Sequence, residues 1–457
     1  MRIASLMLLL TASLSAAGEP KAGEWKAGLA VQVITPVEPM WMAGYGARNK
    51  PAEGKLTELY VKALALEDPH GERLVLLTSD LVGIPRSLSE PVAEEVRKRK
   101  RLPRERLMFT VSHTHCGPVL DDRLRTMYDM PPDEAKKIEP YTDKVKGWMI
   151  DVIVRALDDL KPARLSYGKS TARFAVNRRK PTPKGIENAA NPEGPVDHDV
   201  PMLRVTTPDG KLRAVAFGYA CHNTTLQFYQ WCGDYAGFAQ KYLEEKHPGV
   251  VALFWMGCGG DANPLPRSKV ELCKKYGREL ADAVEGTLSD RLTPITGGSA
   301  AKYATIALPF DKLPGRDKWE ADRRSKQHGV RNRAERFLKL LDGGGKIDGN
   351  YRHYPVQVWR LGDLTWVALG GEVVVDYDLR LKRELGRDAP LWISGYANDV
   401  MAYIPSERVL KEGGYEGDTS MIAYGMPAKW GAGIEEKIIA KAHELVKEVR
   451  AAPIKRP

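Results

Sequence analysis

The sequence predicts an α/β fold in which a mixed or mostly parallel central sheet is flanked by helices, and three observations predict it. Short apolar runs alternate with segments of helical period along most of the chain. Several of those runs stop abruptly on polar, chemistry-bearing residues. The composition, 43% hydrophobic and 28% charged over 457 residues, is that of an ordinary globular protein with enough apolar material for a large core.

Taken in order, the first element is a targeting segment. Arg2, the apolar "SLMLLLTASL" and the small residues Ser15, Ala16 and Ala17 read as a secretory signal over residues 1–17, with a mature chain starting near Gly18 and a secreted or periplasmic location. An uncleaved anchor is the alternative, disfavoured because the run is shorter than the ~20 residues of a span. No later run approaches that length, so no integral membrane segment is expected in the mature chain.

The apolar runs that follow each end on a polar residue. "RLVLLTSD" closes on Asp80, "RLMFTVSHTH" on His113 and His115, and "LRAVAFGYACHNTT" on His222 and Asn223. "VVALFWMGCGGDANP" closes on a glycine-rich turn with Asp261 and Asn263, "LTWVALGGEVV" on Glu372, and "LWISGYANDVMAY" on Tyr396, Asn398 and Tyr403. In α/β sheets ligands gather at the carboxyl ends of strands, so these residues are expected to meet at one sheet edge. His113 and His115, two apart on a strand, are expected to share a face. A helix over 143–160 carries Val145, Trp148, Met149, Val152, Ile153, Ala156 and Leu157 at helical spacing, and a last helix runs over about 433–450. Segments 116–140 and 311–355 are polar and rich in Gly and Pro, and read as loops or inserted helical pieces around the site. Residues 18–457 form a single domain in this reading.

The net charge of +10 is concentrated in "RKRKRLPRER" and "ADRRSKQHGVRNRAER". The first reads as a helix C-terminal turn, where cations favour the dipole, and the second as a solvated helix face; neither is interleaved with aromatic residues, which argues against nucleic acid. Five cysteines at irregular spacing, with no CxxC, exclude a disulfide scaffold and a structural cysteine zinc site; one bridge is allowed and none is required. "GCGGDANP" lacks the lysine and spacing of a phosphate loop.

A zinc hydrolase needs three or four imidazole, carboxylate or other oxygen ligands, and His113, His222 and Glu372 supply those types. Singly, His222 reads more readily as a hydrogen-bonded structural group and Glu372 as a first-turn helix acid, while the His-Thr-His pair is balanced between the two readings. Cys258 is a candidate nucleophile on paper, but nothing near it in sequence lowers its pKa, and a buried inert thiol is the favoured reading.

Over roughly residues 27–430 these segments resemble, in order, the catalytic domain of the neutral/alkaline non-lysosomal ceramidases, zinc amidases that cleave N-acyl sphingoid bases. "MAGYGAR" is similar to the family's opening Gly-Tyr motif, "SHTHCGP" to its T-H-T-H-S-G-P, "CHNTT" to H-P-T-S, "GCGGDANP" to N-x-G-D-V-S-P-N and "GGEVV" to P-G-E-x-T. "GYANDVMAYIP" and "GGYEG" resemble N-x-Y-x-x-Y and R-Y-E-G, with Tyr403 and Tyr415 twelve residues apart as in the family.

The resemblance implies one zinc per chain held by His113, His222, Glu372 and Tyr403, with His115 as acid/base and Tyr415 as polarising group. It also implies an arginine facing the substrate, Arg178 or its neighbour Arg179. Ala262 stands where the family carries a serine, so an acyl-enzyme at that position is impossible, and zinc-activated water is the expected nucleophile. The chain has no room for the family's C-terminal β-sandwich, which weakens ceramide as the expected substrate. The expected activity is zinc-dependent hydrolysis of an amide in a small acylated compound, with a lipid among the options. An esterase or deacetylase, and a non-catalytic zinc- or lipid-binding relative, are the alternatives.

Overall fold

The computed structural model describes residues 24–453 except 122, 123, 291 and 388. The expected secretory signal lies outside the described residues. A nine-stranded mixed sheet runs in the order Val251–Met256, Leu212–Tyr219, Asp199–Thr206, Lys161–Thr171, Trp25–Val33, Tyr60–Glu67, Arg73–Ser79, Leu107–Val111, with Thr293–Pro294 pairing off Lys161–Thr171. The two ends of this path, Val251–Met256 and Leu107–Val111, lie against each other, so the sheet curls and brings distant segments to one place.

The mixed form of the expected sheet is the one observed, and most of its pairings are antiparallel. Only Arg73–Ser79 with Leu107–Val111 and Leu212–Tyr219 with Val251–Met256 pair in parallel. These are also the strands joined through helices, Arg86–Lys100 in the first pair and Asp234–Lys246 in the second.

Helices cover one face of this sheet rather than both. The face carrying Ala63, Val75, Leu77, Phe109, Phe217 and Phe254 packs on Arg86–Lys100, Ile138–Asp158, Asp234–Lys246 and Val270–Ser289. The alternate residues, Leu64, Leu74, Leu76, Met108, Leu253 and Trp255, pack instead on a four-stranded sheet ordered Ser299–Pro309, Asn350–Leu361, Leu364–Leu369, Leu391–Ser394. The period of two along each strand sorts its side chains between these two cores. Between the sheets Trp255, Trp366 and Trp392 sit with ring centroids 4.5 to 5.5 Å apart. The far face of the second sheet packs on Val375–Leu385 and Ile434–Ala451, giving four layers: helix, sheet, sheet, helix.

The two predicted helices are present at Ile138–Asp158 and Ile434–Ala451. Segment 311–355 holds the helical pieces that are one of its two readings, and departs from both only at its end. It holds the helices Arg316–Asp322 and His328–Asp342, and its end is the start of the strand Asn350–Leu361. That strand begins with "NYRHY", whose half-exposed polar residues hide its period from the sequence. All five cysteines are buried and free. No helix among the described residues is long and apolar enough to cross a membrane.

Candidate metal centre

Three pairs of parallel strands end at one place, and each delivers a chemical group together with the group that orients it. After Leu107–Val111 the chain turns through His113, whose φ is 60°, and the His113 Nδ1 lies 2.5 Å from the carbonyl oxygen of Val82, which follows the neighbouring strand Arg73–Ser79. After Leu212–Tyr219 comes His222, whose Nδ1 lies 2.7 Å from the carbonyl of Gly259, which follows the neighbouring strand Val251–Met256. After Leu364–Leu369 comes Glu372, and Tyr396, beyond the neighbouring strand Leu391–Ser394, offers its hydroxyl to Glu372 Oε2 at 3.4 Å. Parallel neighbours end at the same edge, which makes this pairing of group and orienter possible.

Tyr403 enters through a two-residue parallel bridge, Glu372–Val373 with Tyr403–Ile404, which sets Glu372 and Tyr403 directly in register. Its hydroxyl lies 3.0 Å from His222 Nε2. Glu372 Oε2 lies 3.1 Å from His113 Nε2 and 3.0 Å from His222 Nε2. Tyr424 donates its hydroxyl to the other carboxylate oxygen. The expected four residues therefore converge: His113 and His222 are 0% exposed, Glu372 and Tyr403 3% each, and His115 beside them 8%.

The protonation pattern of this cluster follows from its contacts. A carbonyl accepts only from N–H, so both orienting bonds put an imidazole hydrogen on Nδ1 and turn Nε2 toward the cluster. Burial, reinforced by the Arg178 guanidinium, pulls the His222 pKa down to about 4, so its ring is neutral at pH 7. Burial works against ionised Glu372, but the two imidazoles outweigh it and hold the carboxyl well below its ordinary value. Two imidazole Nε2 atoms and a carboxylate oxygen thus face one another at about 3 Å. A tetrahedral zinc with bonds of about 2.0–2.1 Å spaces its donors by roughly 3.3 Å, so the donor set fits a metal in chemistry and spacing.

His115 reaches the same place by a different route from the one expected. The strand ends at Val111, and the left-handed turn at His113, not strand alternation, brings His115 Nε2 to 3.1 Å from His113 Nε2. With His113 and His222 it forms a group of three whose ligand atoms lie within 4.8 Å of one another. Unlike the other two it has no orienting carbonyl, and its Nδ1 has no hydrogen-bond partner. Its ring is held by packing: Tyr45 lies 4.8 Å away, and a Cβ at Gly44, where φ is 97°, would stand 2.4 Å from Nδ1. Burial, then His113 and His222, keeps its pKa well below the ordinary imidazole value.

Arg178 and Tyr415 complete the cluster. Arg178 donates from Nη2 to the Tyr403 hydroxyl at 2.9 Å, whereas Arg179 turns to Glu416, Glu412 and the Gly413 carbonyl. Tyr415 opens a five-residue π-helical turn, its ring 5.3 Å from that of Tyr403. Ala262 is buried and pairs with Asn177. Burial pushes the Cys258 thiol well up, as the inert reading requires.

Other polar strand ends are structural. Asp80 accepts from the Tyr60 backbone, and Asn398 accepts from Arg104 and the Phe109 backbone. Asn223 joins the two histidine loops, donating to Ser112 O and receiving the His115 N–H on its carbonyl. Sequence reasoning missed Tyr424 and gave no role to Tyr396 and Glu416, although the last two lie inside segments it singled out. Tyr424 follows the quoted motifs in a stretch without periodicity, so no pattern marks it.

The family model for the N-terminal part of neutral/alkaline non-lysosomal ceramidases matches residues 25–296. The chain belongs to this family. The matched part of this ceramidase-family chain holds His113, His115, Arg178, His222 and Ala262, while Glu372, Tyr403 and Tyr415 come from beyond it. Neutral ceramidase of Drosophila pseudoobscura pseudoobscura is 24% identical over 282 residues, 58% of this chain and 39% of that protein. The Drosophila melanogaster neutral ceramidase is 24% identical over 259 residues, 52% of this chain and 36% of that protein. The chain thus spans less than half the length of these curated relatives. Among solved structures, the neutral ceramidase from Pseudomonas aeruginosa shares the fold at a TM-score of 0.70 and 20% identity, covering 95% of this chain and 76% of that one. A ceramidase complexed with C2 does so at 0.71 and 18%, with the same coverage.

Proposed function

We propose that this chain is a zinc-dependent hydrolase of an N-acyl amide, with His113, His222, Glu372 and Tyr403 as the ligands of one zinc ion. The observation that carries the reading is the meeting of two oriented Nε2 atoms, a buried carboxylate and a tyrosine hydroxyl at about 3 Å. Bound there, zinc supplies Lewis acidity that polarises a carbonyl oxygen and makes water a nucleophile at neutral pH. His115 Nε2, which points into the same space, takes a proton from water as its oxygen attacks the acyl carbon. The same nitrogen returns the proton to the amine nitrogen as the C–N bond breaks. The Tyr415 hydroxyl donates to the oxygen that gains charge. Ala262, in place of the family's serine, supports attack by water without a covalent acyl intermediate.

Elemental analysis of purified protein should find one zinc per chain, and folded His113→Ala and His222→Ala variants should lose it. The zinc-loaded protein, tried against fluorogenic N-acyl amides, acyl esters, N-acetylated sugars and ceramide, should turn over an amide; turnover of none of these would overturn the hydrolase reading. Export with a mature start near Gly18 and a single domain over residues 18–457 belong to the same proposal. N-terminal sequencing of protein from its host decides the first, and a start at Met1 would refute it.

A further inference from the structure

We infer that Arg178 is a positioning residue that fixes Tyr403 and the Gly260–Asn263 loop, with Glu416 holding the arginine in turn, and that it does not reach for substrate. The inference rests on the proposed zinc site.

The guanidinium has five N–H groups, and the structure occupies four of them within the protein. Nε donates to Glu416 Oε1 at 2.8 Å, and Nη1 to Asn263 Oδ1 at 3.2 Å. Nη2 donates to the Gly260 carbonyl and to the Tyr403 hydroxyl, both at 2.9 Å. A planar fork engaged on three edges has one orientation, and its one uncommitted N–H, on Nη1, cannot be re-aimed without breaking these bonds. Arg178 is 5% exposed, and its guanidinium carbon lies 5.6 and 5.7 Å from the ring centroids of Tyr403 and Tyr415, so it also packs the two tyrosines together.

Two of the bonds made by Arg178 end on or beside the expected donor set, at Tyr403 and at Gly260. Gly260 follows Gly259, whose carbonyl orients His222, and the Arg178 backbone N–H donates to Asp261 O at 2.8 Å in the same loop. Glu416 is 2% exposed and divides its carboxylate between two buried arginines, Oε1 to Arg178 and Oε2 to Arg179 Nη1 at 2.7 Å. Arg179 then donates to the Gly413 carbonyl, which places the residues leading into Tyr415. The Tyr415 hydroxyl makes no hydrogen bond to another described residue and is a donor left over for substrate.

The test is zinc affinity, measured by competition with a chromophoric chelator, in a double-mutant cycle of Arg178→Gln and Tyr403→Phe. Groups that orient metal ligands are worth about 10–100-fold in metal affinity. Arg178→Gln should weaken zinc binding by about that factor in the native background and by a clearly smaller factor once Tyr403 is Phe, the remainder acting through the loop that orients His222. Arg178→Lys should recover part of the affinity, and Glu416→Gln should weaken it in the same direction.

Equal factors in both backgrounds, or an Arg178→Gln variant that binds zinc like the native protein and loses only KM, would overturn the inference and return Arg178 to the substrate. Should Arg178→Gln fail to fold, the cycle is run with Arg178→Lys, under the same criteria. Native protein that binds no zinc would instead sink the proposed function itself.

Discussion

At the scale of single residues, His115 and its two histidine neighbours differ in one bond each. His113 and His222 have Nδ1 tied to a carbonyl, and His115 does not. An untied ring is free to change protonation without losing an orienting bond, which suits a proton carrier rather than a ligand. His115→Ala should therefore lower kcat by about 10²–10⁴ with zinc still bound. Ala262→Ser and Cys258→Ser should leave turnover nearly intact, and trapping of an acyl-enzyme by mass spectrometry would refute attack by water. Asp261 gives a stability test in the same loop. Burial raises its pKa from 3.8 to about 7 while its oxygens accept from Val375 N and Asn177 Nδ2. The folded state then holds the proton more tightly than the unfolded one. The contribution of Asp261 is complete below about pH 4 and is lost as pH rises through 7. Asp261→Asn removes that slope, so its stability relative to native protein should rise between pH 4 and 7 and then level off in denaturant titrations at fixed pH.

At the scale of elements, the bridge Glu372–Val373 to Tyr403–Ile404 is held by close backbone approach at Gly371. Its φ is 76°, and a Cβ there would stand 2.4 Å from Ile404 Cγ1 and 2.8 Å from the Ala402 carbonyl. Gly371→Ala should push the two short strands apart, separate Glu372 from Tyr403 and release zinc, as a metal assay on the folded variant would report. Such elements also mark where the sequence was legible. The apolar runs ending on His113, His222 and Glu372 could be read because each strand core is long enough to show its pattern. The two-residue strands have no period to show; Tyr403 could be read as the end of an apolar run but its ligand role came from resemblance, and Tyr415 was placed by resemblance alone. The left-handed turn at His113 left no mark either, because a histidine with positive φ looks in sequence like any other. The mostly parallel alternative failed because apolar runs are alike in parallel and antiparallel strands buried on both faces, and this sheet is covered by helices on one side and a second sheet on the other.

At the scale of the whole molecule, the α/β class was legible from alternation, while the second sheet was not, since its strands carry the same apolar signature as the first. What assembles the cluster is the curl that sets Leu107–Val111 beside Val251–Met256, a property of long-range pairing that no local window contains. Three local irregularities surround the cluster: the turn at His113, the π-helical turn at Tyr415 and the bridge at Gly371. One feature of that cluster reaches into kinetics. The proposed ligands are all but sealed from solvent, with orienting groups drawn from segments some 300 residues apart. An ion seated there is held by side chains that packing fixes in place, so its escape would be timed by the loosening of those layers rather than by exchange at a mobile ligand. Zinc release to excess chelator should then saturate with chelator concentration and quicken in mild denaturant, whereas release that grows in proportion to chelator would mean that the chelator takes the ion directly from the folded site.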